Sequence, residues 1–266
     1  MMTARFPEER LAVFTLTERP DLRAQLFSAE IQSGLPEFMR HDRTAALYYS
    51  DGNLDRYLDF AFAGVDRERP DRVIARAFSV PFAFRDGSPA RDELPDDGWE
   101  RVIRWAHQDW RKGRMPNAVS ALEINVLAPY RGRGIAQLML AAMQRNTHAR
   151  GFADLYAPLR PSDKHLEPLV PFADYVARCR PDGLPHDSWV RTHVRVGAVL
   201  VKPAPTSMVI AGTLAEWSAW TGMRFDKSGP TVIPGALSPV HVSLEQNHAV
   251  YIEPNLWVHH RLSPSE

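Results

Sequence analysis

Residues 118–143 read AVSALEINVLAPYRGRGIAQLMLAAM, and this stretch decides which fold the sequence predicts. Its first ten residues, 118–127, are rich in apolar and β-favouring side chains and predict a strand. Pro129, Gly132 and Gly134 follow, and residues of these types interrupt an extended segment. The apolar side chains after Gly134 then recur with helical spacing. The sequence therefore predicts a strand, a glycine turn and an amphipathic helix in direct succession.

The predicted turn has the chemistry of an anion site. The first turn of a helix carries main-chain amides without internal partners, and the helix dipole adds partial positive charge there. Gly132 and Gly134 allow that backbone to approach a phosphate, while Arg131 and Arg133 add charge. These residues predict a phosphate-binding turn, and a plain tight turn between strand and helix is the alternative.

Two familiar phosphate motifs do not match the turn. No Lys-Ser or Lys-Thr pair follows the glycines, so the P-loop interpretation fails. Gln137 stands where a dinucleotide-binding G-x-G-x-x-G motif needs its third glycine, which argues against that motif. The glycine spacing alone therefore leaves the kind of phosphate open.

Composition excludes several classes of protein. The chain has 266 residues, with 32 Lys plus Arg against 32 Asp plus Glu, and 44% of the residues are hydrophobic. This is globular composition, and a zero net charge argues against a protein whose main task is to bind nucleic acid or an acidic membrane. Cys179 is the only cysteine, so no internal disulfide can form. No apolar run long enough for a signal peptide or a membrane span occurs, and we expect a cytoplasmic protein.

Helical and strand-like segments alternate along the rest of the chain, which predicts an α/β or α+β fold with a mixed sheet. Strands are predicted over 11–16, 72–80, 153–159 and 198–201, with a late pair around 240–244 and 250–252. Helices are predicted over 17–31, 53–62, 99–112, 135–150, 189–196 and 214–220, and loops or insertions over 85–98 and 160–185.

The stretch Val126–Ala136 resembles the acyl-CoA signature of the GNAT (GCN5-related) N-acyltransferase superfamily. That signature is Arg or Gln, two residues, Gly, one residue, then Gly or Ala, and here it corresponds to Arg131, Gly134 and Ala136. The resemblance implies that main-chain amides bind the coenzyme A pyrophosphate, and that an adjacent strand segment pairs with the pantetheine arm and polarises the thioester carbonyl. The pyrophosphate residues would be Arg131, Gly132, Arg133, Gly134, Ile135 and Ala136, and the strand residues Asn125, Val126 and Leu127.

The resemblance also implies an architecture. It predicts a mostly antiparallel, twisted mixed sheet flanked by helices, with a GNAT-like core over residues 1–205. Insertions would occupy about 85–117 and 160–188. The remaining residues, 206–266, exceed a minimal GNAT domain and would form a C-terminal extension packed on the core.

Glu123 is the predicted general base. It interrupts an otherwise apolar strand, and a buried carboxylate needs a partner or a function. GNAT enzymes often carry a glutamate on this strand that takes the proton of the attacking amine. The alternative is a strand residue whose side chain alternates out to solvent.

His193 is the predicted general acid. GNAT proteins commonly carry a tyrosine four residues before a Gly-Phe pair, and that tyrosine often protonates the departing thiolate. In this sequence His193 takes the tyrosine position, Gly197 is retained and Ala198 replaces the phenylalanine. An imidazole can donate a proton at neutral pH from its cationic fraction. The alternative is a helix histidine with a structural role.

The resemblance therefore implies an acyltransferase that moves an acetyl or other acyl group from acyl-CoA to an amine of a small molecule. The alternatives are a GNAT-fold transferase that uses aminoacyl-tRNA or a carrier-protein thioester, and a non-catalytic acyl-CoA-binding module. Acetyl-CoA or another acyl-CoA would be the co-substrate. We expect no metal, no nucleic acid and no membrane partner, and a homodimer is left open.

Overall fold

The computed structural model describes residues 4–262, and within that range nine strands form a single sheet. The strand order is β1-β2-β3-β4-β5-β9-β8-β7, and β6 pairs along the opposite edge of β9. Only β4 and β5 pair in parallel, whereas the other pairings are antiparallel. The strands are β1 (Leu11–Thr15), β2 (Ala61–Asp66), β3 (Arg69–Phe82), β4 (Ala118–Val126), β5 (Asp154–Leu159), β6 (Val199–Thr213), β7 (Gly229–Thr231), β8 (Val240–Ser243) and β9 (His248–Arg261).

Helices cover both faces of this sheet. They are α1 (Arg23–Leu26), α2 (Ala29–Gln32), α3 (Ala46–Tyr49), α4 (Asp51–Leu54), α5 (Gly98–Lys112), α6 (Ile135–Ala149), α7 (Phe172–Val176), α8 (Ser188–Arg195) and α9 (Leu214–Thr221). Among the described residues no helix has the length and apolar character needed to cross a bilayer.

Alternation along β3 assigns the helices to their faces. Ala75 lies on the α6 face, since a Cβ atom added to its neighbour Gly64 would meet both Ala75 and Met139 of α6. Phe78 lies on the opposite face and packs against Phe27, which follows α1. Helix α5 lies on that second face too, because its Trp105 stacks on Phe82 of β3. Each face therefore has its own apolar layer, and α6 lies across the sheet from α5.

The parallel pair β4–β5 opens towards its carboxyl end. Its ladder consists of two residue pairs, Val119 with Leu155 and Ser120 with Tyr156. Beyond Ser120, β4 continues for six residues paired with β3 alone. The edge of β4 that faces β5 therefore loses its strand partner just before the glycine turn.

Most predicted elements are confirmed, including the strand, turn and helix of residues 118–150. The helix predicted over 53–62 is wrong beyond Leu54, where α4 ends: a 3-10 turn covers Leu58–Phe60, and β2 begins at Ala61. Every residue of β2 is buried, and a strand buried on both faces lacks the alternation that would have identified it. The helix predicted over 17–31 is divided into short turns and the helices α1 and α2.

The predicted division at residue 205 needs correction. Strand β6 runs across that position, and β9 lies between β5 and β6 with pairing on both edges. The chain after residue 205 is therefore part of the central sheet rather than an extension packed on it. The reason is that β9 supplies the strand next to β5, which no segment of 1–205 provides.

Candidate active site

The glycine turn joins the open end of β4 to α6. Its glycines adopt left-handed backbone conformations, with φ of 71° at Gly132 and 86° at Gly134, and Gly134 is the N-cap residue of α6. Residues with a Cβ atom avoid this conformation, so the turn requires glycine at both positions. The amides of Ile135 and Ala136 lie in the first helical turn, where a helix has no internal acceptor for them. The turn therefore has the geometry of an anion cradle.

Strand register decides which main-chain groups of β4 face the opening. The amide of Leu127 donates to the carbonyl of Ile74 at 2.9 Å, so the main-chain N–H of Leu127 points towards β3. Because main-chain groups of an antiparallel strand alternate between its two edges, Val126 and Ile124 face the opposite, open edge. The carbonyl of Val126 accepts from Arg131 Nε at 2.8 Å, as this orientation requires. This register removes Leu127 from the residues whose amide could face a thioester, and it leaves Val126.

Asn125 holds the segment after α2 against the end of β4. Its Nδ2 donates to the carbonyl of Ile31 at 2.8 Å. A Cβ atom added at Gly34 would lie 2.2 Å from Asn125 Oδ1 and 2.7 Å from a terminal nitrogen of Arg131. Only a glycine permits this approach, so the α2 segment forms a wall of the opening. The Asn125 side chain is thus a structural contact here.

Glu123 lies on the face that carries α1 to α5. Its Oε1 accepts from Arg76 at Nε (2.8 Å) and Nη2 (2.7 Å), and its side chain is 14% exposed. Arg76 in turn donates through Nη1 to the carbonyl of Leu26. Both Arg76 bonds fall on Oε1, which leaves Oε2 as the carboxylate oxygen that can accept a proton. The arginine therefore holds the carboxylate without enclosing it.

Two aromatic residues complete the surroundings of Glu123. The Tyr49 hydroxyl is buried, and among the described residues it has no hydrogen-bond partner. Burial, followed by the negative charge of Glu123, raises the pKa of Tyr49. Trp99 stacks near Tyr49 and donates its indole N–H to the carbonyl of Leu122 at 3.1 Å. Leu122 is the unpaired extra residue of a β-bulge, where β3 and β4 shift register.

His193 lies elsewhere in the molecule. It is 2% exposed on α8, and its Nδ1 is 2.9 Å from Nε2 of His260, whose Nδ1 is 2.9 Å from Gln144 of α6. His260 is paired across β5 at Leu155, the residue that pairs with Val119. His193 is thus on the α6 face, at the end where β4 and β5 are still paired, which we call the closed end. Glu123 is on the other face of the sheet, roughly 13 Å further along β4.

The surroundings of His193 also oppose a role in proton donation. Burial and the neighbouring His260 lower its pKa to about 3, so that the imidazole is neutral at neutral pH. The predicted pairing of Glu123 with His193 in one site is therefore corrected: strand register separates them, and burial suppresses the cationic form of the histidine.

Several residues around the site were missed by the sequence interpretation. Arg76 interrupts the apolar run of β3 in the same way that Glu123 interrupts β4, and this shared pattern is a signal that could have paired them. Tyr49 and Trp99 have no local signal, since the chain must fold before either of them reaches β4. Among residues 4–262 no cluster of His, Cys, Asp and Glu side chains could hold a metal ion. A surface cleft of about 500 Å³ lies elsewhere, between β1 and α6, and the turn residues do not line it.

Comparison with known proteins identifies the family. No protein-family model matches the chain. The loading GNATL domain of CurA from Lyngbya majuscula superimposes with a TM-score of 0.54 at 13% identity, over 95% of this chain and 98% of that chain, which shows the fold. An arginine N-acetyltransferase from Aspergillus versicolor, avaD, is 31% identical over 272 residues, covering 92% of each protein. This chain belongs to the GNAT superfamily.

Membership of the GNAT superfamily confirms the fold class and the reaction class predicted from the signature. The protein is an acyltransferase that moves an acyl group from acyl-CoA to an amine. The glycine turn, the open edge of β4 and Glu123 lie in succession along one segment of this GNAT fold.

Proposed function

We propose that this GNAT protein binds acetyl-CoA along the open end of β4 and acetylates a cationic small-molecule amine. The observation that carries the proposal is the loss of the β5 partner after Ser120, immediately before the glycine turn. A pantetheine arm has the hydrogen-bonding groups to replace that missing strand, while the pyrophosphate rests on the glycine turn and on the amides of Ile135 and Ala136 in the first turn of α6. The thioester of acetyl-CoA then lies beside β4 in the interior of the protein.

The amide of Val126 is the donor that we propose for the thioester oxygen. A main-chain N–H that is held in place by the sheet can stabilise the oxyanion as negative charge develops. The pairing of Leu127 with Ile74 supports Val126, since it turns the Val126 amide away from β3. Asn125 then contributes by holding the wall of the opening.

Glu123 is the general base in this proposal. The amine nitrogen attacks the thioester carbon and forms the C–N bond, and the C–S bond breaks to release the coenzyme thiolate. The proton of the amine passes to Oε2 of Glu123, directly or through a water molecule, and the thiolate takes up a proton from solvent. His193 has no part in this sequence of steps. Most of the acceleration comes from alignment, because a free amine already reacts with a thioester.

Arginine is the acceptor that we propose. The support comes from the relative described as an arginine N-acetyltransferase, which aligns with nearly the full chain. A carboxylate beside the thioester also suits an acceptor that arrives as a cation. The amine must lose its proton before it attacks, whereas the guanidinium keeps its charge and serves recognition.

The proposal is tested by incubating the 266-residue protein with acetyl-CoA and single amines, followed by mass spectrometry. Arginine should gain one acetyl group. Citrulline, which lacks the cationic guanidinium, and agmatine, which lacks the carboxylate, separate the contributions of the two ends of arginine. Acetylation of none of these amines would overturn the acceptor proposal. Absence of coenzyme A binding in calorimetry would overturn the whole proposal.

A further inference from the structure

The segment before β1 lies along the glycine turn. Phe6 is 2% exposed and donates its amide to the carbonyl of Arg133 at 2.9 Å. Its ring packs edge-on against Tyr130, with the centroids 6.1 Å apart, and lies 5.2 Å below the guanidinium of Arg133. Arg133 Nε also donates to the carbonyl of Ala4 at 3.2 Å. A buried aromatic anchor and these hydrogen bonds thus fix residues 4–6 against the turn.

Arg5 is thereby held over Gly134. A Cβ atom added at Gly134 would lie 3.5 Å from Arg5 Nε and 3.7 Å from Arg5 Cγ, so the arginine stem occupies the space that the glycine leaves. The turn needs glycine for its backbone conformation, and the same glycine admits this side chain. Arg5 is itself exposed, which means that its guanidinium can reach a ligand on the turn.

The charges around the turn are unbalanced. Arg131 and Arg133 belong to the turn that precedes α6, and Arg5 lies against its Gly134, so three cations surround the positive end of the α6 dipole. Among the described residues no carboxylate oxygen lies within 4.0 Å of any of these guanidinium groups. Other arginines of the same chain are matched, such as Arg10 with Asp66 and Arg76 with Glu123. A cluster of cations at a helix N-terminus is favourable when an anion neutralises it.

We propose that Arg5 is a phosphate ligand of the coenzyme, contributed by the segment before β1, and that it contacts the pyrophosphate. This inference rests on the proposed function, in which the turn binds that pyrophosphate. The position of Arg5 on Gly134 favours the pyrophosphate over the 3′-phosphate of the coenzyme, because the Gly134 backbone leads into the first-turn amides. A guanidinium supplies paired N–H donors that match phosphate oxygens.

The test compares Arg5→Ala with the unmodified protein, using coenzyme A, dephospho-coenzyme A and pantetheine as probes in calorimetry. Dephospho-coenzyme A keeps the pyrophosphate but lacks the 3′-phosphate, and pantetheine lacks both. We expect Arg5→Ala to weaken binding of the first two probes about tenfold, as expected for loss of a hydrogen bond to a charged group. Pantetheine binding should be unchanged, and Arg5→Lys should retain part of the affinity.

Arg111→Ala is the matched control. Arg111 is exposed in the last turn of α5, so the variant removes the same charge away from the turn and should bind coenzyme A normally. A loss for coenzyme A but not for dephospho-coenzyme A would assign Arg5 to the 3′-phosphate and overturn the proposal. Unchanged binding would also overturn it. Tighter binding would overturn it as well, because it would mean that Arg5 blocks the turn and hinders the ligand. If the unmodified protein binds no coenzyme A, the proposed function itself fails.

Discussion

The two ends of the β4–β5 pair differ in whether their polar groups are enclosed by the protein or left accessible to a ligand. At the closed end, β9 and α8 bring His193 and His260 together, and both imidazoles are buried beside Gln144. At the open end, β4 has only β3 as a strand partner, and the glycine turn follows. The closed end encloses its imidazoles within the protein, whereas the open end leaves main-chain groups of β4 for a ligand.

This difference shows that residue type alone does not identify a catalytic group. A histidine and a glutamate are both competent for proton transfer in general. Their positions along the sheet determine which of them can act in the site. Glu123 is beside the opening with a carboxylate oxygen available, and His193 is enclosed at the far end. Substitutions at Gly134, Glu123 and His193 test this contrast.

Gly134→Trp should abolish coenzyme A binding, measured by calorimetry. The indole would occupy the space above the turn and force a residue with a Cβ into a left-handed conformation. Gly87→Trp is the matched control, since Gly87 has the same φ of 86° and open space around it. Both variants should lose similar stability, and only the first should lose the ligand. Normal affinity in Gly134→Trp would remove the turn from the binding site.

Glu123→Gln should lower kcat by about a hundredfold or more at neutral pH, because the amine loses its proton acceptor. The rate of the variant should recover as the pH rises and more of the amine is deprotonated in solution. Glu30→Gln, at an exposed ion pair with Arg72, is the charge-matched control and should retain activity. Full activity of Glu123→Gln at neutral pH would exclude Glu123 as the base.

His193→Asn should make the stability of the protein less sensitive to acid. Burial lowers the pKa of His193 to about 3 and that of His260 to about 4, whereas unfolded histidine titrates near about 6.5. The unfolded chain therefore takes up protons below pH about 6.5 while the native histidines stay neutral, so stability is present above this pH and is lost as the pH falls towards 4.

Urea unfolding at pH 7 and pH 5 measures this effect. The loss in free energy of unfolding between the two pH values should be about 1 to 2 kcal/mol smaller in His193→Asn than in the unmodified protein. The contributions of the other titrating groups to the pH dependence are common to both proteins and cancel in the comparison. An equal loss in both would mean that His193 is already accessible to protons in the native state.

The same His193→Asn variant should keep kcat within about threefold of the unmodified enzyme at neutral pH, because its effect on the open end is indirect. Steady-state assays at saturating acetyl-CoA give the comparison, with Glu123→Gln as the reference for a lost proton-transfer group. A decrease in kcat as large as that of Glu123→Gln would restore His193 as the proton donor and end the contrast between the two regions.

Local sequence patterns predicted much of the secondary structure. The strand, turn and helix of residues 118–150 each have a strong local signal, and all of them form as expected. β2 was missed because a fully buried strand has no alternation. The division at residue 205 failed for a different reason: β9 pairs with β5 from a distance of about a hundred residues along the chain, and no local pattern encodes that pairing.

The sequence by itself determined the glycine turn, the carboxylate on β4 and the GNAT signature, because these depend on residues that are neighbours along the chain. Only the tertiary structure decided that Val126 rather than Leu127 faces the opening, that Arg76 holds Glu123, and that Arg5 lies on Gly134. It also enclosed His193 with His260. Each of these outcomes depends on register or packing between segments far apart in the chain, and a side chain acquires its environment only when those segments meet.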